Sequence, residues 1–174
     1  VRTFYRQIRD ILEMKRVGDE AFRNGENDDA IASWTRAVEI CNNENPQFVS
    51  KLCLNRATAL AKMKKYTESV ADCTTAIKLN ATYVKAYLRR AESYMALGGP
   101  EYIQLAVSDY EKLMEVETEE ANMDSIKDKL KKVSARSIII ALPAVAQHLV
   151  FHSFINSVLL LFSATSTYYA IQAQ

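Results

Sequence analysis

The sequence carries one helical pattern three times, and this repetition constrains the fold more than any other feature. Each copy opens with a small residue, has a bulky or sulfur-containing residue four positions later, and has an apolar pair three positions after that. These spacings keep the marked positions on one face of a helix. The copies begin at Ala30, Ser69 and Ala106. The copies therefore begin 39 and 37 residues apart, a repeat length that predicts stacked structural units of one kind.

A second helical segment precedes each copy and carries a small residue at the matching place. Those small residues are Gly18, Ala57 and Ala91, and each allows two helix backbones to approach closely. Short polar or Gly- and Pro-containing turns separate the two segments. The turns lie at residues 24–26, 64–65 and 97–100. Each unit is therefore predicted to be a helical hairpin, and three hairpins must stack because one cannot bury its own apolar stripe.

The predicted fold is all-α, a right-handed superhelical array of three hairpins with a C-terminal capping helix. A cap is expected because the end unit of an array needs a lid over its apolar face. Ile126, Leu130 and Val133 fall on the inner side of that cap. The predicted domains are a helical lead-in at 1–10, a three-repeat module at 11–134, and an uncharged hydrophobic tail at 135–174. Within the module the repeats lie at about 11–44, 50–83 and 84–120, with the cap at 121–134.

The composition argues against several functional classes. With 22 basic and 21 acidic residues, the net charge of +1 creates no general attraction for nucleic acid. The three cysteines are too few and too widely spaced for a disulfide framework or a Cys-x-x-Cys zinc site, so a reduced, cytoplasmic setting is expected. The sequence has no Gly-rich phosphate loop, Gly-x-Ser-x-Gly elbow or His-Glu-x-x-His helix. We therefore predict a binding scaffold without enzymatic activity, cofactor or metal.

Polar residues on the first helices of the three hairpins form the candidate binding site. In a stack of hairpins, these first helices line the concave surface. Lys15 and Asp19 lie one turn apart on the first, Asn55 lies on the second, and Lys85 and Arg89 lie one turn apart on the third. Paired cations suit a carboxylate ligand, and the asparagine adds a neutral amide donor. The simpler alternative is a solvated helix face, but the matched positions in three repeats favour a site.

The sequence resembles the dicarboxylate-clamp modules of tetratricopeptide-repeat (TPR) chaperone adaptors in three segments: KRVGD at 15–19, LNRA at 54–57 and YVKAYLRRA at 83–91. It is similar in particular to the second TPR module of DnaJ subfamily C co-chaperones, over roughly residues 12–133. The resemblance implies a partner, the extreme C-terminus of heat-shock protein 70 or 90, which ends Glu-Glu-Val-Asp. The basic residues and the asparagine would hold its last two carboxylates.

Two features depart from that family. Clamp modules usually carry Asn where this chain has Asp19, whose carboxylate can pair with Lys15 and repel the ligand, so weakened affinity is expected. The His-Pro-Asp tripeptide of a J domain is absent, because neither His148 nor His152 is followed by proline. J-domain activity is therefore not expected here. The chain begins at Val1, so it can be a fragment of a longer protein.

The tail is open to two interpretations. Residues 144–164 are uncharged and long enough to cross a bilayer, and basic residues precede them. That pattern predicts a tail-anchored scaffold whose groove faces the cytosol and binds another peptide or helix. Polar residues that are costly at membrane depth argue against it, as does Pro143: they are Gln147, His148, His152 and Asn156. A truncated or alternatively spliced product with an unselected tail is equally compatible. The two histidines, four apart, lack nearby ligands for a metal site.

Overall fold

The structure, a computed structural model, describes residues 2–41, 45–117 and 120–141. These residues form α-helices joined by short turns, and no strand is found among them. The helices are α1 (Arg2–Asn24), α2 (Asn27–Cys41), α3 (Pro46–Lys62), α4 (Tyr66–Leu79), α5 (Val84–Leu97), α6 (Pro100–Val116) and α7 (Glu120–Ala141). The all-α prediction is therefore confirmed. The chain separates into two compact units, Val1–Ser134 and Ala135–Gln174, and of the second the structure describes residues 135–141.

The first six helices pair into three hairpins. α1 packs against α2, α3 against α4 and α5 against α6, while α2 meets α3 and α4 meets α5 between neighbouring hairpins. The inner-face positions of the repeated pattern are buried in every hairpin. They are Ala30, Trp34 and Ala37 in α2, Ser69, Cys73 and Ala76 in α4, and Ala106, Tyr110 and Leu113 in α6. The stripe that recurs in the sequence is thus the surface on which each hairpin closes.

Helix α7 follows the third hairpin and buries Ile126 and Val133, with Leu130 half-buried between them. These are the residues that the sequence assigns to the inner side of a capping helix. The helix extends to Ala141, beyond the segment 121–134 predicted for the cap. Ile138 and Ile139 in this extension are exposed.

Local chemistry sets where two of the helices begin. Asn45 caps α3, because its Oδ1 accepts a hydrogen bond from the Phe48 backbone N at 3.0 Å. Pro46 follows as the first helical residue, a position where its missing N–H costs nothing. Helix α3 therefore begins four residues before 50, where the sequence places the repeat boundary. Pro100 opens α6 in the same way, after Gly99 at φ 89°.

Gly18 brings α1 against the indole of Trp34 in α2. A Cβ at this position would lie 2.6 Å from Trp34 Nε1 and 2.7 Å from Cδ1, which is too close for any real side chain. The equivalent residues of the other hairpins, Ala57 and Ala91, are fully buried. Glycine is needed in the first hairpin because a tryptophan occupies the facing position. This contact places the indole N–H beside the groove.

Lys64, in the turn between α3 and α4, has φ 61°, a left-handed conformation that L-residues adopt at a cost. Gly25 takes φ 87° at the matching turn of the first hairpin. We expect Lys64→Gly to raise the free energy of unfolding by about 0.5–1 kcal/mol, because relief of this strain exceeds the added chain entropy of glycine. Met63, at φ −81°, provides the control. In urea denaturation, Met63→Gly should be destabilising, and a loss of stability in both variants would contradict the argument.

Candidate functional site

Two adjacent cavities lie along the first helices of the hairpins, and Asn55 borders both. The cavity between α1 and α3 has a volume of about 420 Å³ and includes Asp19 in its wall. The cavity between α3 and α5 has a volume of about 310 Å³ and is lined by Lys85 and Arg89. Thr58 also borders both cavities. These cavities form the groove, and four of the five predicted site residues line it.

Asp19 is the hub of the α1 side of the groove. Its Oδ2 forms an ion pair with Lys15 Nζ, one turn earlier on the same helix. Its Oδ1 accepts hydrogen bonds from Trp34 Nε1 at 3.0 Å and from Asn55 Nδ2 at 3.3 Å. The carboxylate therefore neutralises the fifth predicted residue, Lys15, and turns the asparagine amide toward α1. Both members of the ion pair keep a third of their side-chain surface exposed.

The cations on α5 differ in how they are held. Lys85 is exposed and forms no ion pair among the described residues. Arg89 Nη1 donates to Glu92 Oε2 at 3.0 Å, whereas its Nε is buried without a hydrogen-bond partner in the described part of the chain. A guanidinium can bind a carboxylate through two parallel N–H groups. Arg89 therefore has spare donor capacity, and Lys85 has a free charge.

Asn55 links the two pairs of predicted residues. Its amide reaches Asp19 on α1, and its side chain lines the cavity that holds Lys85 and Arg89 on α5. Helix α3 contacts both α5 and α2, and α2 packs against α1, so the two cavities lie in one set of packed helices. Four of the predicted residues are thus brought into one groove with the asparagine at its centre, and Lys15 reaches it through its ion pair with Asp19.

Arg56 and Arg90 belong to the same sequence motifs but serve the packing of the helices. Arg56 binds both oxygens of Asp72 at 2.7 and 2.6 Å. Arg90 binds both oxygens of Asp109 at 2.9 and 2.6 Å. Each arginine also donates to a threonine of the preceding hairpin, Thr35 or Thr74. These arginines therefore bridge hairpins and are not available to a ligand.

The charges of these carboxylates also act on the two guanidinium groups. The hydrogen bonding that Arg56 donates to Asp72 is the largest influence on Arg56 and raises its pKa despite partial burial. Burial would lower the pKa of Arg90, but the hydrogen bond and charge of Asp109 raise it. Both arginines stay charged, which keeps the ion pairs within the second and third hairpins intact.

Glu92 lines the groove and Lys129 contacts it from α7, although neither was predicted as a site residue. Glu92 lies three residues after Arg89, so it shares that face of α5, and this spacing is the signal that could have found it. Its Oε1 accepts a hydrogen bond from Lys129 Nζ of α7 at 3.3 Å. No sequence spacing indicates that second contact, because it joins residues 37 positions apart. Trp34 is likewise more than a core residue, since its indole N–H fixes Asp19.

The described residues include neither a metal-binding cluster nor a membrane-spanning helix. Residues 2–41, 45–117 and 120–141 contain no group of three His, Cys, Asp or Glu side chains that could hold a metal ion. His148 and His152 lie outside these ranges. Among the helices that the structure describes, none is long and apolar enough to cross a membrane. The candidate span 144–164 also lies outside them.

Comparison with known proteins finds relatives that match most of this chain. No protein-family model matches the sequence. Human DnaJ homolog subfamily C member 7 is 37% identical over 130 residues, which cover 73% of this chain and 26% of that protein. The chain therefore spans about a quarter of the length of this relative.

Two solved structures resemble the helical array. The first TPR of Spaghetti (RPAP3), bound to the HSP90 peptide SRMEEVD, has a TM-score of 0.62 and 32% identity over 74% of this chain and 93% of that one. The second TPR domain of human RPAP3, in complex with the HSP70 peptide SGPTIEEVD, has a TM-score of 0.62 and 28% identity over 74% and 98%. The predicted superhelical array of helical hairpins is confirmed by these structures.

Proposed function

Since the chain belongs to the tetratricopeptide-repeat co-chaperone family, homologous to the TPR modules of DnaJ C7 and RPAP3, we propose that it is a non-enzymatic chaperone adaptor. Its groove would bind the acidic C-terminal tail of heat-shock protein 70 or 90. The observation that carries this proposal is the sharing of one cavity by Asn55, Lys85 and Arg89. Two cations and an amide donor in one cavity suit a pair of carboxylates.

The ligand chemistry follows from the end of the peptide. A C-terminal aspartate carries a side-chain carboxylate and a main-chain carboxylate on one residue. Lys85 has a free ammonium, and Arg89 has an unused donor, so each can take one carboxylate. Asn55 lies between them and the α1 pair, and Lys15 would add a further cation where Asp19 releases it. We propose these five residues as the site: Lys15, Asn55, Lys85 and Arg89 are the carboxylate-binding set, and Asp19 is the acidic member that opposes the ligand.

The similar structures support the choice of ligand. The peptide bound by the first Spaghetti TPR and the peptide bound by the second human RPAP3 TPR differ upstream and share the ending EEVD. Recognition of a chain end reads the terminal carboxylate itself. An internal acidic segment should therefore bind this groove poorly.

A titration with matched peptides tests this proposal. We expect the full chain to bind SRMEEVD with a free C-terminus and to bind its C-terminally amidated form more weakly, measured by calorimetry. Lys85→Ala should weaken binding of the acid form by about tenfold, the effect of losing one charge-assisted contact. Lys78→Ala on α4, which removes an exposed lysine from a second helix, is the control. Equal affinities for the acid and amidated peptides would contradict recognition of the terminal carboxylate.

The proposed setting is the reducing cytosol. Cys41, Cys53 and Cys73 are free and buried in one apolar cluster. Burial raises the pKa of Cys53 to about 11 and that of Cys73 to about 12. Thiols with such pKa values stay protonated and unreactive at neutral pH, so they act as small apolar core residues.

A further inference from the structure

Glu92 lies between two cations that come from different helices. Its Oε2 accepts a hydrogen bond from Arg89 Nη1 at 3.0 Å, and its Oε1 accepts one from Lys129 Nζ at 3.3 Å. The side chains of Glu92 and Arg89 are 37% and 35% exposed, so solvent screens the pair only in part. The glutamate also lines the same cavity as Lys85 and Asn55. An acidic group of the protein therefore occupies the position where a ligand carboxylate would sit.

We infer that Glu92 is an internal competitor for the ligand, held in balance by Lys129 on α7. This inference rests on the proposed binding of a C-terminal carboxylate. A ligand carboxylate that binds Arg89 must either take Nη1 from Glu92 Oε2 or bind the unused donors, and in both cases it lies beside a like charge. Lys129 opposes this repulsion, because it draws the glutamate toward α7 and away from the arginine. Affinity for the peptide is therefore set by α7 as well as by the groove.

At both ends of the groove, an acidic residue of the protein neutralises a predicted site cation. Asp19 neutralises Lys15 on α1, and Glu92 neutralises Arg89 on α5. Of the three predicted site cations, Lys85 is the one without an ion-pair partner in the described part of the chain. An incoming carboxylate thus meets Lys85 first and binds Arg89 against the negative charge of Glu92. In the ligand-free groove, carboxylates of the protein itself therefore occupy part of the cationic site.

Removing the charge of Glu92 tests the inference. Glu92→Gln keeps the size and the hydrogen-bonding oxygen but abolishes the competing charge, so affinity for SRMEEVD should rise about two- to fivefold in calorimetry with the full chain. Glu115→Gln is the matched control, because Glu115 forms a similar pair with Lys112 three residues earlier on α6. No gain from Glu92→Gln, or an equal gain from the control, would overturn the proposal.

A double-mutant cycle separates competition from direct contact by Lys129. Lys129→Gln should weaken peptide binding by about twofold in the natural chain, because Glu92 then pairs with Arg89 alone. The same substitution should have no effect in the Glu92→Gln background. An equal loss in both backgrounds would mean that Lys129 contacts the peptide directly, and the coupling to α7 would be wrong. Failure of the proposed function is seen separately, as equal binding of acid and amidated peptides by the natural chain.

Discussion

Replacing Arg90 with alanine is expected to lower the free energy of unfolding by about 3–5 kcal/mol, because it leaves a buried carboxylate without its partner. Asp109 is 4% exposed, and Arg90 contacts both of its oxygens. The substitution also removes the donor to Thr74 of the preceding hairpin. Denaturation in urea at neutral pH measures the loss directly. A broader or two-step transition would show that the third hairpin has become uncoupled.

The neighbouring arginine supplies the control for this experiment. Arg89→Ala removes a guanidinium of the same size one position away, but its ion pair with Glu92 is partly exposed. Its effect on stability should stay within about 1 kcal/mol. Arg90→Ala combined with Asp109→Ala should recover part of the loss, because no unpaired charge is then buried. Equal destabilisation by Arg89→Ala and Arg90→Ala would contradict the structural role given to Arg90.

The second and third hairpins each contain a buried Arg–Asp ion pair, and the first hairpin lacks one. Arg56 with Asp72 repeats the geometry of Arg90 with Asp109 one hairpin earlier. In the first hairpin the two equivalent positions hold Val17 and Ser33, so no such pair can form. In that hairpin the Trp34 indole packs against Gly18, between α1 and α2. The first hairpin is thus closed by packing, and the other two by packing and charge.

Periodicity made the hairpins predictable, because buried positions must recur on one helical face. Ala30, Ser69 and Ala106 mark such positions, and all three are fully buried. The role of an adjacent pair such as Arg89 and Arg90 is harder to predict, since successive helical residues point about 100° apart. Only the position of Asp109 across the hairpin decides which arginine faces the core.

Contacts between distant residues explain what the sequence could not reveal about the groove. The pairing of Lys15 with Asp19 follows from their spacing of one helical turn. The hydrogen bonds from Trp34 and Asn55 to Asp19 join residues 15 and 36 positions apart. They depend on how α1, α2 and α3 pack, and Gly18 allows the close approach of Trp34 to α1. The ion pair within α1 could thus be predicted from sequence spacing, whereas the hydrogen bonds from α2 and α3 to Asp19 depend on helix packing.

Asp19→Asn is expected to tighten binding of the free-carboxylate peptide by about 1.5–3 kcal/mol, the value of a hydrogen bond to a charged group. The substitution frees Lys15 from its ion pair and removes a negative charge from the groove. The asparagine Oδ1 can still accept the hydrogen bond from Trp34 Nε1, so the local structure should persist. Its amide can donate to the ligand, as Asn55 is proposed to do. Calorimetry with SRMEEVD measures the gain.

Asp19→Ala separates loss of charge from gain of a donor. It also frees Lys15, but it leaves the Trp34 indole N–H, in a side chain that is 1% exposed, without its acceptor. This variant should therefore be less stable by about 1–3 kcal/mol and gain less affinity than Asp19→Asn. If Asp19→Asn binds the peptide no more tightly than the natural chain, Asp19 does not oppose the ligand. Lys15 would then lie outside the carboxylate-binding set, which would be limited to α3 and α5.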